Sequence, residues 1–276
     1  HELVIIPGDI RTDAKALLGY IREHQIQILD CVPSQLKLLI EAGLLDSDGW
    51  APDAILPGGE AIDPETWKRL VDAPETDFYN MYGPTECTVD VTMYPVKQNP
   101  ASPTIGRSTK NVAFYVLDSE LNPVPIGVAG ELYIGGEQIA RGYLHRPRLT
   151  AEKFLPDPFS DKAGARMYRS GDVVRYTPDG LLEFSGRIDD QVKVRGLRIE
   201  LGEIENHLLA HEEVKAAVVT VPRDVRGETY LCAYVEGADI LASKKSSGVK
   251  ELREFLSRTL PDYMIPSYFV FIEKIP

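Results

Sequence analysis

The chain has 276 residues, 43% of them hydrophobic and 26% charged, which is enough for a sizeable core and more than one domain. A formal net charge of -12 argues against a nucleic-acid-binding surface. Three widely spaced cysteines (Cys31, Cys87, Cys232) form no CxxC pair, and no apolar run reaches the span of a bilayer, so disulfide framework, zinc site and membrane span are all unsupported. The expectation is a cytoplasmic protein with no nucleic-acid or membrane partner. The chain opens on His1-Glu2-Leu3 without Met or leader, and reads as a piece cut from something longer.

Leu3–Ile6 reads as a buried strand, followed by an amphipathic helix over Asp13–His24 with Thr12 as its N-cap. Ile26–Leu29 reads as a second strand, and Ser34 as the cap of a helix through Leu44. A third strand, Ala54–Leu56, runs into Pro57-Gly58-Gly59-Glu60; Pro64 opens a helix ending near Val71, and Phe78-Tyr79 closes the series. Strands alternating with helices predict a largely parallel sheet with ligands beyond the strands' carboxyl ends. Gly58-Gly59-Glu60 and the run Asn80-Met81-Tyr82-Gly83-Pro84-Thr85-Glu86 both fall at such ends and should face one crevice. A rigid turn carrying a hydroxyl and a carboxylate suits an oxyanion and its metal: the hydroxyl donates to phosphate, the carboxylate anchors Mg2+.

From about Val89 the texture changes to short alternating runs (Ala113–Leu117, Glu131–Ile134, Val173–Tyr176, Leu181–Phe184) separated by Pro/Gly turns, the pattern of an antiparallel β-rich part. A charge-rich stretch, Gly186–Glu205, leads into a smaller α+β unit. Its helices are expected near Ile204–Ala210 and Val249–Leu260, and its strands at Ala216–Val221, Tyr230–Val235 and Tyr268–Ile272, with Ser243–Gly248 as a polar loop. The expected division is residues 1–188, with an α/β part (1–95) and a β-rich part (96–188), then a small unit over 189–276. The five histidines show no metal-ligand spacing, and His207 and His211 read as a solvated helix face.

Several motifs follow in a fixed order after Asn80–Glu86: Gly130-Glu131-Leu132-Tyr133-Ile134-Gly135-Gly136, Ala140-Arg141-Gly142-Tyr143-Leu144 and Tyr168-Arg169-Ser170-Gly171-Asp172. Then come Gly186-Arg187-Ile188-Asp189-Asp190-Gln191-Val192-Lys193-Val194-Arg195-Gly196, Arg198–Glu205 and Leu260-Pro261-Asp262-Tyr263-Met264-Ile265-Pro266. Over nearly its whole length the chain resembles the adenylation domains of nonribosomal peptide synthetases, within the adenylate-forming superfamily of acyl-CoA synthetases and luciferases. Each motif alone would be weak. The resemblance implies an α/β fold: part of a large domain, with a parallel α/β layer and a barrel-like β-rich part, then a small mobile α+β domain.

It also implies chemistry. Such domains make an aminoacyl-adenylate from an amino acid, ATP and Mg2+, then pass the acyl group to the phosphopantetheine thiol of a peptidyl carrier domain beside other synthetase domains. Carried over, Asn80 would bond the adenine amino group and Tyr82 would stack on the ring. Gly59-Glu60-Ala61 would wall the adenine slot and Gly83 would shape the turn. Thr85 would touch phosphate, Glu86 would hold Mg2+, and Asp172 would take the ribose hydroxyls. Arg187 would lie by ribose and phosphate, and Asp189 matches the family's hinge. Lys193 and the Gly196 loop would lie on the thiolation face. The side-chain pocket would include Cys31, Leu56, Gly58, Met81, Val89 and Asp90; Asp90 would meet a cationic or hydroxyl-bearing side chain, or bond protein groups and water.

The resemblance is partial. The family's phosphate loop and the Asp gripping the substrate amino group lie upstream of His1, and its catalytic lysine lies past Ile275-Pro276. These residues alone are therefore expected to be poorly active. An acyl- or aryl-CoA ligase of the same superfamily and a non-catalytic scaffold remain as alternative readings.

Overall fold

The structure, a computed structural model, describes residues 2–46, 49–99, 101–224, 229–237 and 245–275. The chain divides into two compact units, His1–Asp189 and Asp190–Pro276.

The first unit begins with an α/β layer. Strands β1 (Ile28–Cys31), β2 (Ala54–Pro57) and β3 (Asp77–Tyr82) pair in parallel, and β4 (Thr92–Pro95) adds to β3 antiparallel. Helices α1 (Ala14–Glu23), α2 (Pro33–Glu41) and α3 (Pro64–Asp72) carry apolar residues at three- and four-residue spacing. Leu17, Ile21, Leu36, Leu39, Trp67 and Leu70 join Leu29, Ile55 and Phe78 in one core. Leu3–Ile6, expected as a strand, forms none: Leu3 and Ile5 are exposed, while Val4 and Ile6 rest against that core. Four apolar residues make a strand only where a neighbour takes their hydrogen bonds, and β1 pairs with β2 instead.

The caps also depart from expectation. Asp13, not Thr12, caps α1, accepting from the backbone N–H of Lys15 and Ala16 at 3.0 and 3.1 Å. Helix α2 starts at Pro33 without a side-chain cap on Val32, and Ser34 N–H donates to Glu60 Oε2 at 2.9 Å. Asp63 caps α3 through Thr66 N–H (2.9 Å) and Thr66 Oγ1 (2.7 Å). Partial burial pushes the Asp63 carboxyl up, but the Thr66 hydrogen bonds outweigh it and hold it below the usual carboxylate range. A depressed folded value gives stability that is present above the unfolded pKa of about 3.9 and is lost as pH falls through the folded one. Asp63→Ala should therefore cost about 1 kcal/mol at neutral pH. In urea denaturation as a function of pH, the gap to wild type should close as Asp63 protonates.

The β-rich part of this unit is one open sheet. Its elements are β5 (Val112–Leu117), β6 (Gly130–Gly136), the short helix α4 (Pro147–Lys153), β7 (Phe154–Pro156), β8 (Arg166–Tyr176) and β9 (Leu182–Arg187). The order is β5-β6-β8-β7, with β9 also on β8. Among the described residues it does not close into the barrel-like form expected. The 11-residue β8 carries β7 beside Arg166–Tyr168 and β9 beside Asp172–Tyr176, so the sheet gains length rather than the width that closure needs.

In the second unit β10 (Gln191–Val194) and β11 (Leu197–Glu200) form a hairpin whose Arg195-Gly196 turn has positive φ at both residues (53° and 75°). Primed turns of this kind match strand twist. Then come α5 (Leu201–Leu209), β12 (Val214–Thr220), β13 (Cys232–Gly237), α6 (Lys245–Leu256) and β14 (Tyr268–Ile272), with β13 antiparallel to β12 and parallel to β14. Ile204, Leu208, Val219, Val235, Leu252 and Leu256 build its core. Of the expected loop Ser243–Gly248, Ser243 and Lys244 lie outside the described residues, and Lys245–Gly248 are helical. His211 is not solvated: its ring packs edge-on against Phe255, because α6 crosses it there. No helix among the described residues is long and apolar enough to cross a membrane.

Candidate functional site

The parallel strands β1, β2 and β3 end at one edge. Gly58, just past β2, donates its N–H to Cys31 O at 3.1 Å and bridges Met81. A Cβ on Gly58 would sit 3.0 Å from Met81 Cβ, so the two strand ends lie in near contact. Gly59 adopts φ +87°, which favours glycine. Ala61 is exposed. Strand alternation divides the pocket candidates. Asp30 stands opposite Leu56, and Gly58 opposite Met81, on one face; Cys31 stands opposite Pro57 and is buried in the helix-side core. Burial, with the charge of Asp30, pushes the Cys31 thiol up to about 12.

The loop after β3 is tightly closed. Val91 N–H donates to Tyr82 O at 2.9 Å, and a Cβ on Gly83 would fall 1.9 Å from Val89 O. Thr88 and Val89 both take left-handed φ (59° and 69°), a strained choice for a β-branched valine. Thr88 Oγ1 donates to Gln138 O at 2.8 Å, which helps hold it there. Val89 and Asp90 are exposed at the loop's end. Both Asp90 and Asp30 are exposed as residues, but partial desolvation by the surrounding chain raises each carboxyl pKa, and the charge of Asp30 raises that of Asp90 further.

Asn80, 6% exposed, donates from Nδ2 to Thr104 O at 2.7 Å. A carbonyl can only accept, so this contact fixes the amide orientation and leaves Oδ1 as the acceptor. Tyr82 Oη donates to Asp172 Oδ2 at 2.5 Å; burial first, and the Asp172 charge second, keep the phenol well above its ordinary pKa and therefore a donor. Asp172 sits opposite Arg187 in the β8–β9 register, and Arg187 donates to Asp172 Oδ1 (2.5 Å) and Ser170 O (3.1 Å). The same guanidinium takes both oxygens of Asp189 at 2.7 and 2.9 Å. Burial alone would lower the Arg187 pKa, but the Asp189 bonds and the Asp172 charge raise it. Asp189 is the last residue of the first unit. This is a bonded chain from the end of β3 to that boundary, not a loose surface pair.

Glu86 is 7% exposed in a 3-10 turn over Thr85–Cys87, and its Oε1 accepts from Tyr143 Oη at 2.6 Å. Thr85 is exposed beside it. One carboxylate and one hydroxyl are hard oxygen donors of the kind Mg2+ takes, with phosphate and water completing its shell. Among the described residues no cluster of three or more His, Cys, Asp and Glu could hold a metal by itself. Sequence reasoning gave no role to Tyr143, Asp30, Thr104 or Ser170. Tyr143 was within reach through its motif Ala140–Leu144; Thr104 acts through a backbone carbonyl, which leaves no sequence signal. Glu131 is buried and paired with Arg169 Nε at 2.9 and 3.0 Å.

The family model for AMP-binding enzymes matches residues 1–144, and the one for the AMP-binding enzyme C-terminal domain matches residues 203–276. A linear gramicidin synthase of Brevibacillus parabrevis is 47% identical over 274 residues, covering 99% of this chain and 5% of that protein. Bacitracin synthase 1 of Bacillus licheniformis is 42% identical over 284 residues, covering 100% of this chain and 5% of that protein. Among solved structures, holo-AB3403, a four-domain nonribosomal peptide synthetase bound to AMP and glycine, superposes with TM-score 0.61 at 36% identity, covering 99% of this chain and 20% of that one. The chain thus spans about one-twentieth of the length of those curated relatives. With a family model matched over more than half of its residues, the chain belongs to the AMP-binding enzyme family.

Proposed function

We propose that these residues form the later part of an amino-acid-activating adenylation unit of a nonribosomal peptide synthetase, using ATP with Mg2+ and loading the phosphopantetheine thiol of a peptidyl carrier domain. The observation that carries this reading is the bonded set Tyr82–Asp172–Arg187, reached from the same β3 end as Asn80 and Glu86. Asn80 Oδ1 accepts from the adenine amino group, Tyr82 flanks the ring beside Gly59-Glu60-Ala61, and Asp172 takes the ribose hydroxyls. Arg187 lies between ribose and phosphate, Thr85 donates to phosphate, and Glu86 holds Mg2+. Bound there, Mg2+ neutralises phosphate charge. No acid–base triad is needed, because positioning and charge neutralisation do the chemistry. Asp189, at the unit boundary, is the hinge. Leu56, Gly58, Met81, Val89 and Asp90 line the side-chain pocket, with Cys31 behind it. Asp90 and Asp30 lie close enough for one charge to act on the other, and a cationic side chain such as ornithine or arginine would relieve that repulsion.

The reading is tested by incubating the complete adenylation unit that contains these residues with a phosphopantetheinylated carrier domain, free CoA, ATP, Mg2+ and a panel of amino, aryl and fatty acids. Mass spectrometry should find an aminoacyl thioester on the carrier. Acyl-CoA formed from aryl or fatty acids, with the carrier unloaded, would assign the chain to the CoA-ligase branch instead.

A further inference from the structure

Glu86 and Glu131 are both buried carboxylates of the first unit, yet they are held differently. Glu131 takes a guanidinium, Arg169, on both oxygens. Glu86 Oε1 accepts from a neutral phenol, the Tyr143 hydroxyl at 2.6 Å. A phenol orients a carboxylate without itself bringing a positive charge to it, as suits a carboxylate that takes a metal ion.

Tyr143 is built into place. Ala140 N–H donates to Glu86 O at 2.8 Å, so the 140–143 segment is tied to Glu86 through backbone as well as side chain. Tyr143 N–H donates to Thr150 Oγ1 at 2.9 Å, and Thr150 Oγ1 donates to Arg146 O at 2.9 Å. The Tyr143 ring stands edge-on to Phe154, with centroids 5.5 Å apart. Gly142, at φ +141°, has room for no side chain, since a Cβ would lie 2.4 Å from Thr150 Cγ2. Three separate restraints therefore fix the phenol that meets Glu86.

We propose that Tyr143 is a positioning residue for the metal–nucleotide: its hydroxyl fixes the Glu86 carboxylate in the orientation that takes Mg2+. This rests on the adenylation reading above. Tyr143→Phe removes the hydroxyl and keeps the ring on Phe154. In the complete adenylation unit, titration of Mn2+ by electron paramagnetic resonance, with a non-hydrolysable ATP analogue present, should show metal affinity weakened about tenfold, the lower end for loss of such a supporting bond. The thermal midpoint should fall by only a few degrees, the cost of one bond lost from a buried carboxylate, and amino-acid-dependent ATP–pyrophosphate exchange should recover at high Mg2+. Metal affinity within twofold of wild type overturns the role. So does an activity loss that added Mg2+ does not restore and that tracks a lowered thermal midpoint, the signature of a merely structural tyrosine. Wild-type protein that binds no metal–nucleotide overturns the adenylation reading itself, and this role with it.

Discussion

Gly83→Ala should lose the crevice loop. The new Cβ would lie 1.9 Å from Val89 O and 2.9 Å from Val91 N, both backbone atoms that no rotamer change can move. Relief requires opening the loop and breaking the 2.9 Å bond from Val91 N–H to Tyr82 O. Overpacking plus an unpaired backbone group together cost about 3 kcal/mol or more. For a unit of this size that lowers the thermal midpoint by roughly 6–12 °C. Nucleotide binding should be lost with it, since Tyr82 and Thr85 flank the glycine. Gly58→Ala is the control: its Cβ would lie 3.0 Å from Met81 Cβ and 3.3 Å from Met81 O, a contact relieved by a shift of a few tenths of an ångström, so the loss should be clearly smaller. Equal midpoints for the two variants in differential scanning calorimetry would contradict this account.

The second large effect is expected at Asp172. Asparagine keeps the shape and can still accept from Tyr82, but it removes the charge facing Arg187, whose side chain is only 14% exposed. Arg187 would retain Asp189, so the fold should survive at a cost of about 1–3 kcal/mol. The nucleotide should suffer more. Losing a charged acceptor for the ribose hydroxyls costs about 1.5–3 kcal/mol, a roughly 10–100-fold loss of ATP affinity. Calorimetric titration of the complete unit with an ATP analogue measures it. Affinity unchanged in Asp172→Asn would remove the ribose from this carboxylate.

Much of the fold was legible because local signals agreed. The helix over Ala14–Glu23 shows its apolar stripe at Leu17, Leu18 and Ile21, and β14 falls on Tyr268–Ile272 as expected. What was not legible depended on partners. Leu3–Ile6 has strand composition, but β1's hydrogen bonds go to β2. Thr12 and Asp13 are both capping types, and only the backbone geometry selects the second. Closure of the β-rich part depends on strand count and on the length of β8, which alternation alone does not report. At the site, motif order picked out residues that the fold brings into bonded contact, Tyr82, Asp172 and Arg187. The residues that support them were hidden. Thr104 holds Asn80 through a carbonyl, and Asp30 reaches Asp90 through charge across 60 residues of sequence.

The most direct measurement is amino-acid-dependent ATP–pyrophosphate exchange by the complete adenylation unit, across the proteinogenic amino acids and ornithine. The account predicts exchange with one or a few amino acids, cationic ones foremost, and weakened discrimination against neutral ones in Asp90→Ala. Silence with every amino acid, whether or not aryl or fatty acids are turned over, would contradict it.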